Sequence, residues 1–436
     1  MSRSDCHRLV RALLVLGVLA ARDAMAQNRL VFDTAAPPIS YSPNAGLQLR
    51  AEDGRVFLRF RAWLQADYRG TLGEDAATNS TTASIPSGFT LRRSRVIVDA
   101  QVAPGIAVRL SPDFGGTRVQ LEDAFVDFGL SRSLWLRAGR QRVPFGVERE
   151  RFITEIPTPE RSLVSQLTPN RDVGVVATGD LPGGRLSVTV GVQNGVPDGQ
   201  SGGTDVNDGK DLIGRLSVMP RLRSRAGVAQ GVRLVIGGTV GTQAGAVGDP
   251  QLPTYSTSSG QPFFRYAAAT ELAPTVAAEG SRRRLGAAVV VHEGRAGVLA
   301  EAIEVRQRVQ RGSGAATIAQ RGWLAMGLWS LTGEPSGVGG LTPARPFAPR
   351  RGQWGAVQLV GRVSRLSIGT EAFPTFADAD VSARRATAWA IGANWFWTRQ
   401  SKLQWSYEET RFQGGAAAGT NRPTDRTLWL RTQLFY

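Results

Sequence analysis

Apolar and polar residues alternate one by one along much of this chain. In VFLRFRAWLQADY, residues 56–68, Val56, Leu58, Phe60, Ala62, Leu64, Ala66 and Tyr68 fall on one side of an extended chain. Phe57, Arg59, Arg61, Trp63, Gln65 and Asp67 fall on the other. The same period of two runs through LSVTVGVQ at 186–193 and TLWLRTQLFY at 427–436. Soluble strands average about 5–6 residues, whereas a tilted strand crossing a bilayer needs about 9–11. The run at 56–68 is long enough for the second kind.

About sixteen such segments lie between Val56 and Tyr436, among them Arg283 to His292, Arg295 to Val305 and Gly322 to Thr332. An even number suits a closed bacterial barrel, which has short periplasmic turns and longer outer loops. With the N-terminus in the periplasm, the even-numbered connections should be the short ones. APG at 103–105, DLPGG at 180–184, EG at 293–294 and TRQS at 398–401 obey this, whereas Gly333 to Gln353 is too long for a periplasmic turn. The chain ends on an aromatic residue, Tyr436, after an alternating run, as barrel-insertion signals do. The expected fold class is all-β: a transmembrane antiparallel β-barrel of about 16 strands over residues 55–436.

The first residues change the setting. Arg3, Arg8 and Arg11 surround an apolar stretch from Leu9 to Ala21 that ends in Ala24-Met25-Ala26, the form of a signal peptide over 1–26. Residues 27–54 are then a periplasmic N-terminal segment. Cys6 is the only cysteine and lies in the leader. The net charge is +16, and the leader carries Arg3, Arg8, Arg11 and Arg22 against Asp5 and Asp23, leaving about +14. Of 52 basic residues only Lys210 and Lys402 are lysines. Such an excess asks for an anionic partner, and an exported chain without a basic recognition helix excludes nucleic acid. Periodicity sets Arg59, Arg61, Arg93, Arg95 and Arg137 on the polar faces of their segments, as candidates for an anion pathway. Arg282 to Arg284 cannot all face one way and should meet lipopolysaccharide phosphates or loop carboxylates. Trp323, Trp329, Trp354, Trp389, Trp395, Trp397, Trp405 and Trp429 suit an interfacial aromatic girdle. Beyond the leader His292 is the lone histidine, so neither a Ser/His mechanism nor a metal site is marked, and no cofactor is expected.

An ordered series of strings resembles the phosphate-selective porin O and P family. It includes LRFRAWLQADY, LEDAFVDFGL, LRAGRQRVPFGVE, ERSLVSQLTPNRDVGV, DLIGRLSVMP, WGAVQLVGRVSRLSI and IGANWFWTRQSKLQWSYEETRF. The resemblance implies a non-enzymatic porin of the Gram-negative outer membrane, a homotrimer with lumenal arginines and an eyelet narrowed by the third outer loop. Its partners would be small phosphate-like anions, outer-membrane lipid and lipopolysaccharide. Counting loops makes residues 141–172 that constriction loop, with Arg140, Arg142, Arg149 and Arg151 near the narrowest point and Glu148, Glu150, Glu155 and Glu160 available to pin it. The scarcity of lysine departs from the family and puts phosphate preference in question. A general or other-substrate porin and a structural or adhesive barrel stay open as alternatives, with an outer-membrane hydrolase the remotest.

Overall fold

The computed structural model describes Leu30 and residues 38–42, 46–51 and 55–436. Within the last range it leaves out 73–85, 153–154, 182–183, 204, 206, 221–222, 225–226, 229–230, 272 and 337–339. The leader proposed at 1–26 lies outside the described residues. Alternation produces sixteen strands in the barrel wall. They are β1 (Phe57–Thr71), β2 (Gly88–Ala103), β3 (Ile106–Asp113), β4 (Gln120–Gly129), β5 (Leu134–Arg142), β6 (Arg171–Asp180), β7 (Leu186–Gln193) and β8 (Asp211–Val218). The wall continues through β9 (Arg233–Ala244), β10 (Ala277–Glu293), β11 (Ala296–Arg311), β12 (Gly314–Ser330), β13 (Ala356–Ile368), β14 (Ala383–Phe396), β15 (Ser401–Gly414) and β16 (Asp425–Phe435).

Every strand pairs antiparallel with the next, and β16 pairs with β1 in the register Leu434↔Leu64, so the sheet closes without an edge. Tyr436 completes the seam: its N–H donates to the Ala62 carbonyl at 3.1 Å and its own carbonyl accepts from the Ala62 N–H at 2.8 Å. Below that point β1 would be an open edge. A hairpin of Ile39–Ser42 and Gly46–Arg50 covers it, pairing Leu47↔Phe60 and Leu49↔Leu58.

The two faces of the wall follow the pleat. Leu285, Leu359, Ile391 and Leu434 are exposed on the outside, while Arg95, Asp99, Gln404 and Arg431 are buried within. The structure departs from the sequence reading in two places. First, β11 and β12 do not stop near Val305 and Gly322 but continue to a two-residue turn, Gly312–Ser313. Alternation persists there because Gln307, Val309 and Ile318 point inward, while Arg306, Glu304 and Arg321 form an outward ion cluster. Second, the inner face of β10 to β13 is apolar over much of its length, built from residues such as Val290, Leu299, Ile303, Leu324 and Val360. A polar inner face would suit water. An apolar one has to be covered, and the next section shows by what. The sixteen strands leave residues 331–355 as a long connection at the turn end of the barrel, without a further barrel strand among the described residues.

These faces predict a labelling pattern. In a Cys6→Ser background, Arg61→Cys should react with a membrane-impermeant thiol reagent in proteoliposomes, and Leu64→Cys, on the lipid face, should be protected. The opposite pattern would contradict the assignment of faces.

Candidate functional site

Between β5 and β6 the chain leaves the wall and crosses the interior. The turn begins at Gly146, whose φ of +85° and neighbour Thr168, 2.4 Å from where a Cβ would stand, leave room for glycine only. One helical turn follows, α1 (Val147–Glu150). Its unpaired N–H groups find a carboxylate on the opposite wall: Val147 N and Glu148 N donate to Glu301 of β11 at 2.5 and 3.1 Å. Its unpaired carbonyls find guanidiniums. Arg142 donates to the carbonyls of Arg149, Glu150 and Arg151 at 3.2, 3.1 and 2.8 Å, and Arg161 to those of Glu148, Arg149 and Arg151. The segment then settles on the apolar wall. A 3-10 turn, Leu163–Leu167, lies against β11, β12 and β13, and Phe145, Leu163, Val164 and Leu167 are all buried there. Each such side chain gains roughly 2 kcal/mol from leaving water.

The far wall grips the backbone. Lys402 and Gln404 donate to the Ile156 carbonyl at 3.1 Å each, Asn394 to that of Pro157 at 2.9 Å, and Arg362 to that of Glu160 at 2.8 Å. The loop's acids go the same way. Glu160 accepts from Arg92 at 2.8 Å and Arg431 at 2.9 Å, and Glu150 pairs with Arg215 at 2.8 Å. Glu148 accepts from Ser162 and stands 3.8 Å from Arg362. Burial alone would push the Glu160 carboxyl up, but Arg92, Arg431 and Arg93 hold it well below the usual range, so it stays ionised.

The loop's own arginines are therefore left with neutral acceptors. Arg149 donates to Thr168 Oγ1 at 3.0 Å and to the Ser165 carbonyl. Burial lowers the guanidiniums of Arg149 and Arg161 to about 10 and about 9, still charged at neutral pH. Above the loop opens a cavity of about 560 Å³ with a mostly polar lining. Arg92, Arg93, Arg95 and Arg118 reach it from the wall side, and Arg142, Arg149, Arg161 and Arg171 from the loop and its ends. Asp113, Glu122 and Glu160 are the only carboxylates in that lining among the described residues. Arg142 also lines a second, smaller cavity beneath the loop, shared with Arg137, Arg215 and Arg233. It borders both spaces.

Of the arginines expected at the site, Arg93, Arg95, Arg142 and Arg149 converge on the upper cavity. Arg93 donates to Gln65 at 2.7 Å, while Arg95 is neutralised by Asp113 at 2.7 Å and Glu122 at 2.6 Å. Arg59 and Arg61 face inward lower down, where both bind Asp99, at 2.8 and 2.7 Å, together with Arg109. Three cations share one carboxylate there. Arg137 is paired with Asp127 at 2.6 Å and lies over the Phe125 ring. Arg151 is buried and borders neither cavity. Arg140 is a correction: it alternates onto the face of Leu136 and Ala138, opposite Ala124 and Val173, and lines neither space.

Sequence reasoning missed Arg92, Arg161 and Arg171. Strict alternation would send Arg92 outward, but the register jumps from Gln65↔Arg93 to Ala66↔Leu91. The bulged Arg92 is turned inward beside Arg93. The doublet at 92–93 within an alternating run was the available signal. Arg282 and Arg284 face inward to Asp211 and Asp198, and Arg283 faces out. Of the tryptophans, Trp323, Trp329, Trp389, Trp395 and Trp405 stand on the outer face, whereas Trp429 is buried on the inner one under Arg69.

A sixteen-stranded closed barrel, crossed inside by the third outer loop, is a porin architecture, and the sequence agrees: residues 58–436 match the phosphate-selective porin O and P family. The chain belongs to that family. It is accordingly an outer-membrane channel of Gram-negative type. Among solved structures this porin resembles the outer membrane channel DcaP of Acinetobacter baumannii, with 9% identity over 89% of this chain and 99% of that one, at a TM-score of 0.55. OmpT of Vibrio cholerae matches at 10% identity over 89% and 99%, TM-score 0.51. An anion-selective porin from Comamonas acidovorans matches at 8% identity over 87% and 100%, TM-score 0.51. Likeness at these identities carries the fold alone. No sequence match to a functionally curated protein is found.

The grip of the wall on the loop can be measured. Glu160→Gln should leave Arg92 without a charged acceptor and Arg431 with Asp67 alone, at a cost of about 2 kcal/mol. The heat-modifiable gel transition of the folded porin should fall in temperature. An unchanged transition would mean that the loop is held without this contact.

Proposed function

We propose that this porin is a passive, anion-preferring channel for phosphate or related small anions, and that it works as a homotrimer. The observation that carries the reading is the upper cavity, where eight arginines face three carboxylates. Among the described residues, Arg93, Arg142, Arg149 and Arg161 each bond there only to uncharged acceptors. A guanidinium keeps its charge at physiological pH and offers forked donors that match the oxygens of phosphate. Because the cavity is polar and has no aromatic side chain in its lining among the described residues, it favours hydrated inorganic anions over greasy or ring-bearing solutes. Below it Arg142 leads to Arg137, Arg215 and Arg233, so an anion meets several moderate sites in series rather than one deep trap. Arginine in place of lysine is compatible with this, since most of these guanidiniums are half-occupied by loop carbonyls and cannot close fully on a ligand.

The family name and the anion-selective porin of similar fold support the same class of solute. An enzymatic reading has less to stand on. His292 lies 3.4 Å from Ser336 Oγ, but its charged neighbours are Arg151 and Arg233, where a catalytic pair would need a carboxylate.

Two outcomes are expected in planar bilayers. Arg142→Ala should lower the ratio of chloride to potassium permeability and weaken block of chloride current by phosphate, while Arg140→Ala should change neither. Equal behaviour of the two variants would sink the arginine pathway. The second concerns pH. Burial raises the Glu155 carboxyl to about 7, against the pull of Arg151 and Arg142. As pH falls from 8 to 6 it takes up a proton, one negative charge leaves the loop, and anion preference should rise. Glu155→Gln should flatten that dependence, and a rise that persists in the variant would assign it elsewhere.

A further inference from the structure

The connection between β12 and β13 is long at the end of the barrel where turns are short. Its far half is well packed. Leu341 is buried with Ala356 and Phe396 against the rim. From there the chain runs outward as a flap: Phe347 N donates to the Trp397 carbonyl at 2.8 Å, Ala348 N to that of Gln353 at 2.9 Å, and Trp395 Nε1 to that of Trp354 at 2.6 Å. The Phe347 ring stands edge-on to Trp354 and Trp395, with centroids 5.8 and 5.5 Å away, and Trp395 meets Trp397 at 5.7 Å. Trp395 belongs to the outward face of β14, in line with Ile391 and beside the outward Trp405 of β15. This aromatic group therefore continues the lipid-facing wall at its periplasmic edge. Trp354 is 62% exposed and Phe347 37%.

Three arginines rise from the same flap. Arg345, Arg350 and Arg351 are exposed, and the side chain of none has a hydrogen bond or ion pair to another described residue. Arg350 and Arg351 end a single 3-10 turn that begins at Pro349, and that proline and Pro346 stiffen the flap. Rings with one apolar body and one polar edge settle at the depth of lipid headgroups, and arginine beside them reaches for phosphate while its stem stays in the apolar layer.

We infer that this flap is a binding site for anionic phospholipid in the periplasmic leaflet, with Phe347, Trp354 and Trp395 in the interface and Arg345, Arg350 and Arg351 on the headgroup phosphate. Continuity with the lipid-facing wall selects a membrane lipid, and three arginines with no carboxylate among them select an anionic one. Each basic side chain near an anionic surface strengthens binding roughly fivefold, so the three together contribute up to about a hundredfold.

The test uses the full porin reconstituted in vesicles of phosphatidylcholine with or without phosphatidylglycerol, then released and read by native mass spectrometry for retained lipid. The wild type should retain phosphatidylglycerol in preference to phosphatidylcholine. Arg345→Glu/Arg350→Glu/Arg351→Glu should lose most of that preference while keeping its heat-modifiable fold, and the matching triple lysine variant should keep it. Phe347→Ala/Trp354→Ala should reduce retention of both lipids. A wild type without preference, or a triple glutamate variant that retains it, overturns the inference. So does binding of the same arginines to isolated cell-wall sacculi when phosphatidylglycerol preference is absent.

Discussion

A guanidinium shut inside a barrel must find an acceptor, and the kind it finds decides what it can do next. Around the upper cavity, among the described residues, eight arginines meet three carboxylates. The loop that crosses the interior brings acids of its own, yet Glu150 and Glu160 are taken by Arg215, Arg92 and Arg431 of the wall. Its arginines must then satisfy themselves with carbonyls and hydroxyls. A neutral acceptor meets the hydrogen-bonding need of a guanidinium without cancelling its charge. At an effective dielectric constant near 20, a unit charge about 4 Å away is worth roughly 4 kcal/mol, so leaving that charge uncancelled shapes the cavity far more than any one hydrogen bond does.

The rest of the architecture serves this division. The apolar inner face of β10 to β13 makes no sense as the wall of a water-filled pore, but it is a bed for Phe145, Leu163, Val164 and Leu167. With the loop pressed to that side, open space remains toward β1 to β6, the half of the wall that carries Arg92, Arg93 and Arg95. Both ends of α1 are fixed by charges from elsewhere, Glu301 at its start and Arg142 and Arg161 at its finish. Arg142 thus holds the loop and borders both cavities at once, which couples the shape of the passage to its charge.

Much of this was legible in the sequence. Alternation exposed about sixteen strands and the inward set of Arg59, Arg61, Arg93, Arg95 and Arg137, because side-chain direction in a strand depends only on parity. Parity fails where the backbone adds a residue or leaves the sheet. The bulge at Arg92 turned one arginine inward, and Arg140, still within β5, kept the outward direction that its parity with Leu136 and Ala138 gives it. Partner choice was not legible either. Glu148 and Glu160 sit within a few residues of Arg149 and Arg161, but a closed barrel brings Arg431 and Arg362 nearer to their carboxylates than those sequence neighbours are. The extension of β11 and β12 escaped notice because charged residues on a lipid-facing surface read as loop unless an ion cluster such as Arg306–Glu304–Arg321 accounts for them.

The central claim is that the interior presents uncancelled positive charge to whatever passes, and its most direct test is the reversal potential of the wild-type porin in a planar bilayer under a steep potassium chloride gradient. The account predicts a potential of the sign set by chloride, shrinking as salt is raised toward 1 M and the screening length falls to about 3 Å. A potential of the sign set by potassium would contradict it.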